Sequence, residues 1–260
     1  MANQADLSIR QFVAAWNVLC AAAPDYAAHS EDGVEYVFSG VPLPFFNAAV
    51  LTGGNLTDDE LQASAGNASA WASDRAVPWI LITTQERDAT AALDACGFAP
   101  LMGLTGMLAG QVASKAQTPA DLDLLVPQDD AGCMSILDVN SAAYGMSFEA
   151  GSPVWGVSSF WKDHSPVLGL AKGQPVSSTA VMVVDGHHYV ALVATAPGMQ
   201  RRGYADAAMR RALEVSRERY GELPTFLHAT DAGRPVYERM GYESVASHTI
   251  FIEKKFLGGH

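Results

Sequence analysis

The stretch Val190 to Ala208, VALVATAPGMQRRGYADAA, decides how this chain is read. It opens as an apolar, β-branched run, breaks at Ala196-Pro197-Gly198-Met199, and passes through Gln200-Arg201-Arg202-Gly203-Tyr204-Ala205 into a helical pattern. A strand that feeds a helix through small residues leaves backbone N–H groups unpaired at the helix start, where the dipole also favours negative charge. Such a turn suits a pyrophosphate. Gly203 lets phosphate approach the backbone, and Pro197, lacking an N–H, ends ladder pairing. Ala205, Ala208 and Ala212 give the helix a small face that sits close on a sheet. The segment matches neither a P-loop, for want of Gly-Lys-Ser/Thr, nor the GxGxxG dinucleotide pattern.

Charge supports looking here. The 260 residues carry a formal charge of −12, unevenly spread. Residues 1–110 hold 3 Lys or Arg against 12 Asp or Glu, and the remainder 13 against 16. Six of those thirteen lie between Arg201 and Arg219, around the turn. The overall balance excludes a polybasic nucleic-acid binder. Met1 to Arg10 is polar and acidic rather than signal-like, and no apolar run approaches 18 residues, so a cytoplasmic protein without membrane contact is expected. Cys20, Cys96 and Cys133 are widely separated among apolar neighbours, with no CxxC pair or His at ligand spacing. They read as buried free thiols, and no metal site is expected.

Working outward, the length favours two domains. In the first part the spacing predicts a helix over Gln11 to Ala23, strands over Val34 to Ser39 and Phe45 to Leu51, and a helix over Thr57 to Ser73 opened by a Thr57/Glu60 capping box. A strand over Trp79 to Thr84, a short helix stopped by Gly97 and a strand over Leu101 to Leu108 follow. Gln111 to Ala120 is polar and reads as a linker. Beyond it come a strand at Asp121 to Val126, a helix at Asp130 to Tyr144, an aromatic-rich segment at Pro153 to Trp161, and strands at Pro166 to Ala171, Val176 to Val184 and His188 to Thr195. Asp185-Gly186 joins the last two strands as a hairpin. The helix Arg201 to Tyr220, a strand at Thr225 to Ala229, a short helix at Arg234 to Met240 and a strand at His248 to Lys254 complete the chain. Laying Gly97-Phe98 over Gly241-Tyr242 shows the same order twice: long helix, apolar strand, short helix ending Gly-aromatic, closing strand. The expected fold is α/β, two similar domains in tandem, each a mixed sheet flanked by helices, at 1–110 and 121–260.

Gln-x-x-Gly-x-Ala after a strand, followed by Arg234-Pro235-Val236-Tyr237-Glu238-Arg239-Met240-Gly241-Tyr242, resembles the GNAT superfamily of acetyl-CoA-dependent N-acetyltransferases. Asn140-Ser141-Ala142-Ala143-Tyr144-Gly145 is similar to the first helix of several members. The resemblance covers about Asp121 to Phe256. It implies that the amides of Gln200, Arg201, Arg202, Gly203, Tyr204 and Ala205 hold the pyrophosphate of CoA, with charge from Arg201 and Arg202. It implies also that the strand end at Val193, Ala194 and Thr195 offers backbone groups to the pantetheine and the acetyl carbonyl. Tyr237, at the edge of a short helix whose core face is Val236 and Met240, would protonate the departing thiolate. Phenol and thiol pKa values lie close enough for that transfer.

The implied reaction moves an acetyl group from acetyl-CoA to a primary amine of a small molecule by direct attack. Glu149, Asp163 and His164 lie near the acceptor-side segment, and none is singled out as a base. Tyr144, Phe148, Trp155, Phe160 and Trp161 are mainly core, with one or two on the acceptor side. In the first domain the matching helix opens Asp58-Asp59-Glu60, which repels phosphate, and Leu93 stands where Tyr237 would. That copy reads as degenerate. The competing reading is a non-catalytic acyl-CoA sensor or scaffold.

Overall fold

The computed structural model describes residues 4–84, 88–113 and 118–257. The first elements are α1 (Gln4–Cys20), β1 (Ala27–Glu31), β2 (Val34–Phe38), β3 (Asn47–Leu51), α2 (Asp58–Ala72), β4 (Ile80–Thr83), α3 (Thr90–Asp94) and β5 (Phe98–Ala109). They are followed by β6 (Leu122–Leu125), α4 (Asp130–Tyr144), α5 (Ser152–Trp155), α6 (Ser158–Trp161), β7 (Ser165–Ala171), β8 (Gln174–Val184) and β9 (His187–Thr195). Helix α7 (Tyr204–Tyr220), β10 (Thr225–Ala229), α8 (Arg234–Arg239) and β11 (Glu243–Glu253) close the chain. Contacts divide it into two compact units. One holds residues up to Met107, His228–Pro235 and the chain from Glu243; the other holds Leu108–Leu227 and Val236–Tyr242. The units therefore do not follow the linear division at 111–120, because the last strand groups with the first unit. Part of the expected linker, 114–117, lies outside the described residues.

In the first unit the strand order is β1-β2-β3-β4-β11-β5. β3 and β4 are parallel, while β4 and β11 are antiparallel, with Thr249 opposite Thr83 and Ile252 opposite Ile80. Side chains alternate across the sheet. Ala48, Val50, Ile80, Ile82 and Ile250 pack with Ile9 and Phe12 of α1 on one face. On the other, Ala49, Leu51, Leu81 and Phe251 meet Leu61, Ala65 and Ala68 of α2 and Leu93 of α3. The capping box forms as expected: the Thr57 N–H donates to Glu60 Oε2 at 2.7 Å, and the Glu60 N–H to Thr57 Oγ1 at 3.3 Å.

Two elements depart from the sequence reading. β1, four of whose five residues are exposed, has no apolar alternation to announce it; it forms because Asp32 and Gly33, both at positive φ, make a tight hairpin turn. Helix α1 begins seven residues before Gln11, and Ser8 on its first turns is fully buried. Ser8 is buried because it is bonded. Its Oγ lies 2.9 Å from His228 Nε2 and 2.7 Å from His248 Nε2, and His248 Nδ1 lies 2.6 Å from Thr84 Oγ1. A hydroxyl both donates and accepts, so two neutral imidazoles are satisfied around it. Gly106 leaves the room, since a Cβ there would stand 2.0 Å from Ser8 Oγ.

Burial pushes His248 down to about 4, and burial with the neighbouring His248 ring holds His228 well below the ordinary range. The folded state thus binds fewer protons than the unfolded chain. Stability contributed by these groups is present above the unfolded value of about 6.5 and is lost as pH falls below it, by about 1.4 kcal/mol per pH unit for each histidine kept neutral. Urea midpoints at about pH 7.5 and about pH 5 test this: the midpoint is expected to drop at the lower pH, and equal midpoints would show that the cluster accepts a proton freely.

In the second unit the strand order is β10-β9-β8-β7-β6. β6/β7, β7/β8 and β8/β9 are antiparallel. β10 is parallel to β9, pairing Thr225–Leu227 with His188–Val190. α7 packs on β7, β8 and β9, and α4 on β8 and β9. They take opposite faces, since Ala171 and Val176 join Tyr204 and Ala207 whereas Leu168, Leu170 and Ala194 join Ile136 and Val139. Cys20 and Cys133 are buried free thiols, and Cys96 is half-buried.

Candidate functional site

The site starts where β9 outruns its partner. Register with β10 ends at Val190, yet β9 continues to Thr195. Across the β8 edge the pairing slips between Ser178/Ala194 and Ala180/Ala191, so Leu192 and Val193 share one opposing residue, Thr179. Leu192 sits at φ 52°, a conformation a branched residue adopts only when its surroundings impose it. The two carbonyls of this bulge go to side-chain hydroxyls: Ser178 Oγ donates to Leu192 O at 3.2 Å, and the Tyr144 hydroxyl to Val193 O at 3.1 Å. Val193 and Thr195 are half-buried and Ala194 is buried.

After Ala196 the chain turns with Gly198 (φ 78°), Arg201 (φ 62°) and Gly203 (φ 80°) in the left-handed region. The helix therefore begins at Tyr204 rather than Arg201, and its cap, Gly203, supplies no side-chain acceptor. The first-turn N–H groups of α7 are thus not capped by a side chain of that residue, and its one acidic first-turn residue, Asp206, is ion-paired to Arg210 at 2.6 Å. Ala208 and Ala212 are fully buried, as the small-face argument requires. Tyr204 meets its expected role only in part. Its side chain is buried and its hydroxyl donates to Asp121 Oδ2 at 2.6 Å, so only its backbone faces the turn. Gln200, Arg201 and Arg202 are exposed. Arg202 Nη2 reaches Gly198 O at 3.4 Å, while the Arg201 guanidinium has no partner among the described residues.

Tyr237 is not at the edge of its helix. It is the buried residue of α8, and Val236 is half-buried. The six-residue helix folds back on it: the N–H groups of Met240 and Tyr242 both donate to Tyr237 O, at 2.9 and 3.0 Å, with Gly241 at φ 92°. The ring meets Tyr242 edge-on at 6.1 Å. Burial raises its pKa well above the phenol range, with Tyr144 and Tyr242 adding to the shift. The phenol therefore keeps its proton at every working pH, and it is a weaker acid than free phenol and thiol values suggest.

A cavity of about 570 Å³ lies along the outer face of α4, with Met134, Asp138 and Ser141 on the helix and Met146, Phe148 and Glu149 on the returning chain. Gly145 at φ 66° turns the chain back, and the Phe148 N–H donates to Ser141 Oγ at 3.0 Å. Of the three groups considered as a base, Asp163 is ion-paired to Arg219 at 3.0 Å, and His164, against Phe160 and Trp161, is held below its ordinary pKa mainly by burial. Glu149 is the one that lines the cavity. Trp155, Trp161 and Phe148 are core, whereas Tyr144 is half-exposed. His187 and His188 diverge: His188 bonds Ser216 at 2.9 Å and the Gly221 carbonyl at 3.0 Å, and His187 Nδ1 bonds the Asp185 carbonyl at 2.8 Å. No group of three or more His, Cys, Asp or Glu suited to a metal is present among the described residues. No described helix is long and apolar enough to cross a membrane.

Residues 186–245 match the family model of the acetyltransferase (GNAT) domain. That segment is similar to a GNAT domain. The match takes in the strand, the turn and α8 together. Over the whole chain the fold is that of GNAT structures. A GCN5-related N-acetyltransferase from Kribbella flavida is similar across 100% of this chain and 98% of its own, with TM-score 0.70 and 17% identity. A functionally unknown conserved protein from Staphylococcus epidermidis matches 88% of this chain and 94% of its own (TM-score 0.63, 16% identity). A tandem GNAT protein from the clavulanic acid biosynthesis pathway matches 95% and 94% (TM-score 0.54, 13% identity), consistent with two GNAT-like domains in series. No curated protein matches the chain.

Proposed function

We propose that this protein is an N-acetyltransferase that moves the acetyl group of acetyl-CoA to a primary amine of a small molecule. The observation that carries the reading is the start of α7, which no side chain of its cap residue covers, following directly on the open end of β9. Its fit to a diphosphate rests on three features. Gly198 and Gly203 admit close backbone approach, Arg201 is free to add a charge-assisted bond, and the Asp206 carboxylate is neutralised by Arg210. A Cβ on Gly198 would meet nothing within 4 Å, so that side of the turn is open.

In this reading the backbone of Val193, Ala194 and Thr195 aligns the pantetheine arm and the thioester. The neutral amine nitrogen bonds to the carbonyl carbon, the carbon–sulfur bond breaks, and Tyr237 gives its proton to sulfur while the nitrogen proton passes towards solvent on the acceptor side. Most of the acceleration comes from alignment and fixed dipoles, so no covalent enzyme species is needed. The first unit, with Asp58, Asp59 and Glu60 at the start of α2 and Leu93 buried in α3, has no equivalent site in this proposal.

Isothermal titration with acetyl-CoA, followed by an amine-dependent assay of CoA release, tests the reading. One equivalent bound and release on adding amines are expected. Two equivalents would overturn the degenerate first copy, and binding without release by any amine would favour the acyl-CoA sensor.

A further inference from the structure

The cavity along α4 carries negative charge that the fold itself does not use. On the helix Met134, Asp138 and Gly145 share one face, at intervals of four and seven residues, and the returning chain adds Met146, Phe148 and Glu149. Other acids of this region have structural roles. Asp129 caps α4 by accepting from the Gly132 N–H at 2.9 Å, and Asp130 accepts from the Ser158 N–H and hydroxyl, both at 2.7 Å. Asp138 and Glu149 are exposed, and neither carboxylate has a hydrogen-bond or ion-pair partner among the described residues.

A third negative source is the helix itself. α4 stops at Gly145 with no basic residue in its last turn, so the negative end of its dipole stands uncompensated at that end of the cavity. No described Lys or Arg lines the space. The charge suits a cation, whereas Met134, Met146 and the buried Phe148 suit an apolar body, and about 570 Å³ is room for a small molecule. That cation is not the reacting nitrogen. An amine must be neutral to attack a thioester, and neighbouring carboxylates hold it protonated. The strand end where attack would occur is reached by the Tyr144 hydroxyl, at Val193 O. Asp138 stands six residues before Tyr144, about 9 Å along the helix axis.

We propose that the acceptor is a diamine, with one primary amine acetylated at the end of β9 and a second, protonated amine held in the cavity by Asp138 and Glu149. The inference rests on the N-acetyltransferase reading, which places the thioester at this strand end. The spacer between the two nitrogens lies against Met134, Met146 and Phe148, and its length is about the 9 Å that separates Asp138 from the strand end. Each carboxylate gives the second amine a charge-assisted bond. That amine takes no part in bond making and stays charged in the product. A monoamine of the same length leaves both carboxylates facing hydrocarbon, so the cavity selects for charge at the far end and not for apolar bulk alone.

Hexamethylenediamine and hexylamine share one spacer and differ only in a protonated amine in place of a terminal hydrogen. Wild type should release CoA with a kcat/KM about tenfold or more higher for the diamine, and calorimetry should show tighter binding of the diamine by a similar factor. Asp138→Asn and Glu149→Gln keep side-chain size at exposed positions, so urea midpoints should match wild type. Each should reduce the preference severalfold through KM, and the double variant should bring the ratio to about one. Added salt should narrow the wild-type ratio and leave that of the double variant in place. Equal constants for the two amines in wild type, or a preference that survives both substitutions, would overturn the inference and leave the acetyltransferase reading standing. Absence of CoA release with the diamine would overturn it too, and the acetyltransferase reading would then fall only if every other amine also failed.

Discussion

Tyr237→Phe is expected to lower kcat by about a hundredfold, the lower end of the range for a positioned acid. The lower end follows from the environment. Burial raises the Tyr237 pKa, so in the proposed mechanism the phenol gives up its proton only to a sulfur already carrying charge. Each pKa unit above the thiol value costs about 1.4 kcal/mol of driving force. The ring contact with Tyr242 and the two bonds to the Tyr237 carbonyl survive the substitution, so the helix should persist. Three readouts belong together: kcat from CoA release, acetyl-CoA affinity from calorimetry, and the pH–rate profile. Affinity should stay within about twofold, and the wild-type profile should show no alkaline limb from this group up to about pH 10, because the folded pKa is raised. Unchanged kcat would return Tyr237 to a packing role.

Gly203→Glu is expected to weaken acetyl-CoA binding by more than about a hundredfold. Two effects add. A Cβ at φ 80° costs about 1–2 kcal/mol of backbone strain, and a carboxylate is set where the diphosphate is proposed to lie. Gly203→Ala carries the strain without the charge and separates them. The alanine variant should lose about tenfold and the glutamate variant much more, while urea midpoints shift similarly in both. Equal affinities for the two variants would mean that phosphate does not sit on this helix start.

Much of the fold was legible because its elements carry strong local signals. The interval Asp130 to Tyr144 shows a capping Asp129 and a stopping Gly145, and the observed helix ends on both. Asp185-Gly186 makes the hairpin its residues demand. β1 was invisible, because four exposed residues in five leave no apolar period, although Asp32-Gly33 is the same turn dipeptide. Ser8 carries no signal for a related reason: its partners are His228 and His248, more than two hundred residues away, and local periodicity carries no trace of them. Tyr144 reads as one of five aromatics that are mainly core, with one or two on the acceptor side, since nothing in Asn140 to Gly145 shows that a strand two hairpins later bulges towards it. Strand pairing over such distances is a tertiary property, and the grouping of β11 with the first unit belongs to the same class.

That grouping has a consequence for how the protein is made. Ile80 to Thr83 pair with Thr249 to Ile252, and β11 lies between β4 and β5. A ribosome emits β4 long before β11 exists, so the first unit cannot complete its sheet while the chain is still being translated. Until then the backbone N–H and C=O groups of β4 on the β11 side lack strand partners, while its side chains already have Ile9, Phe12 and Leu61 to pack on. A nascent chain is therefore expected to present this open β-edge until its last strand is released, the kind of edge that invites pairing with other chains.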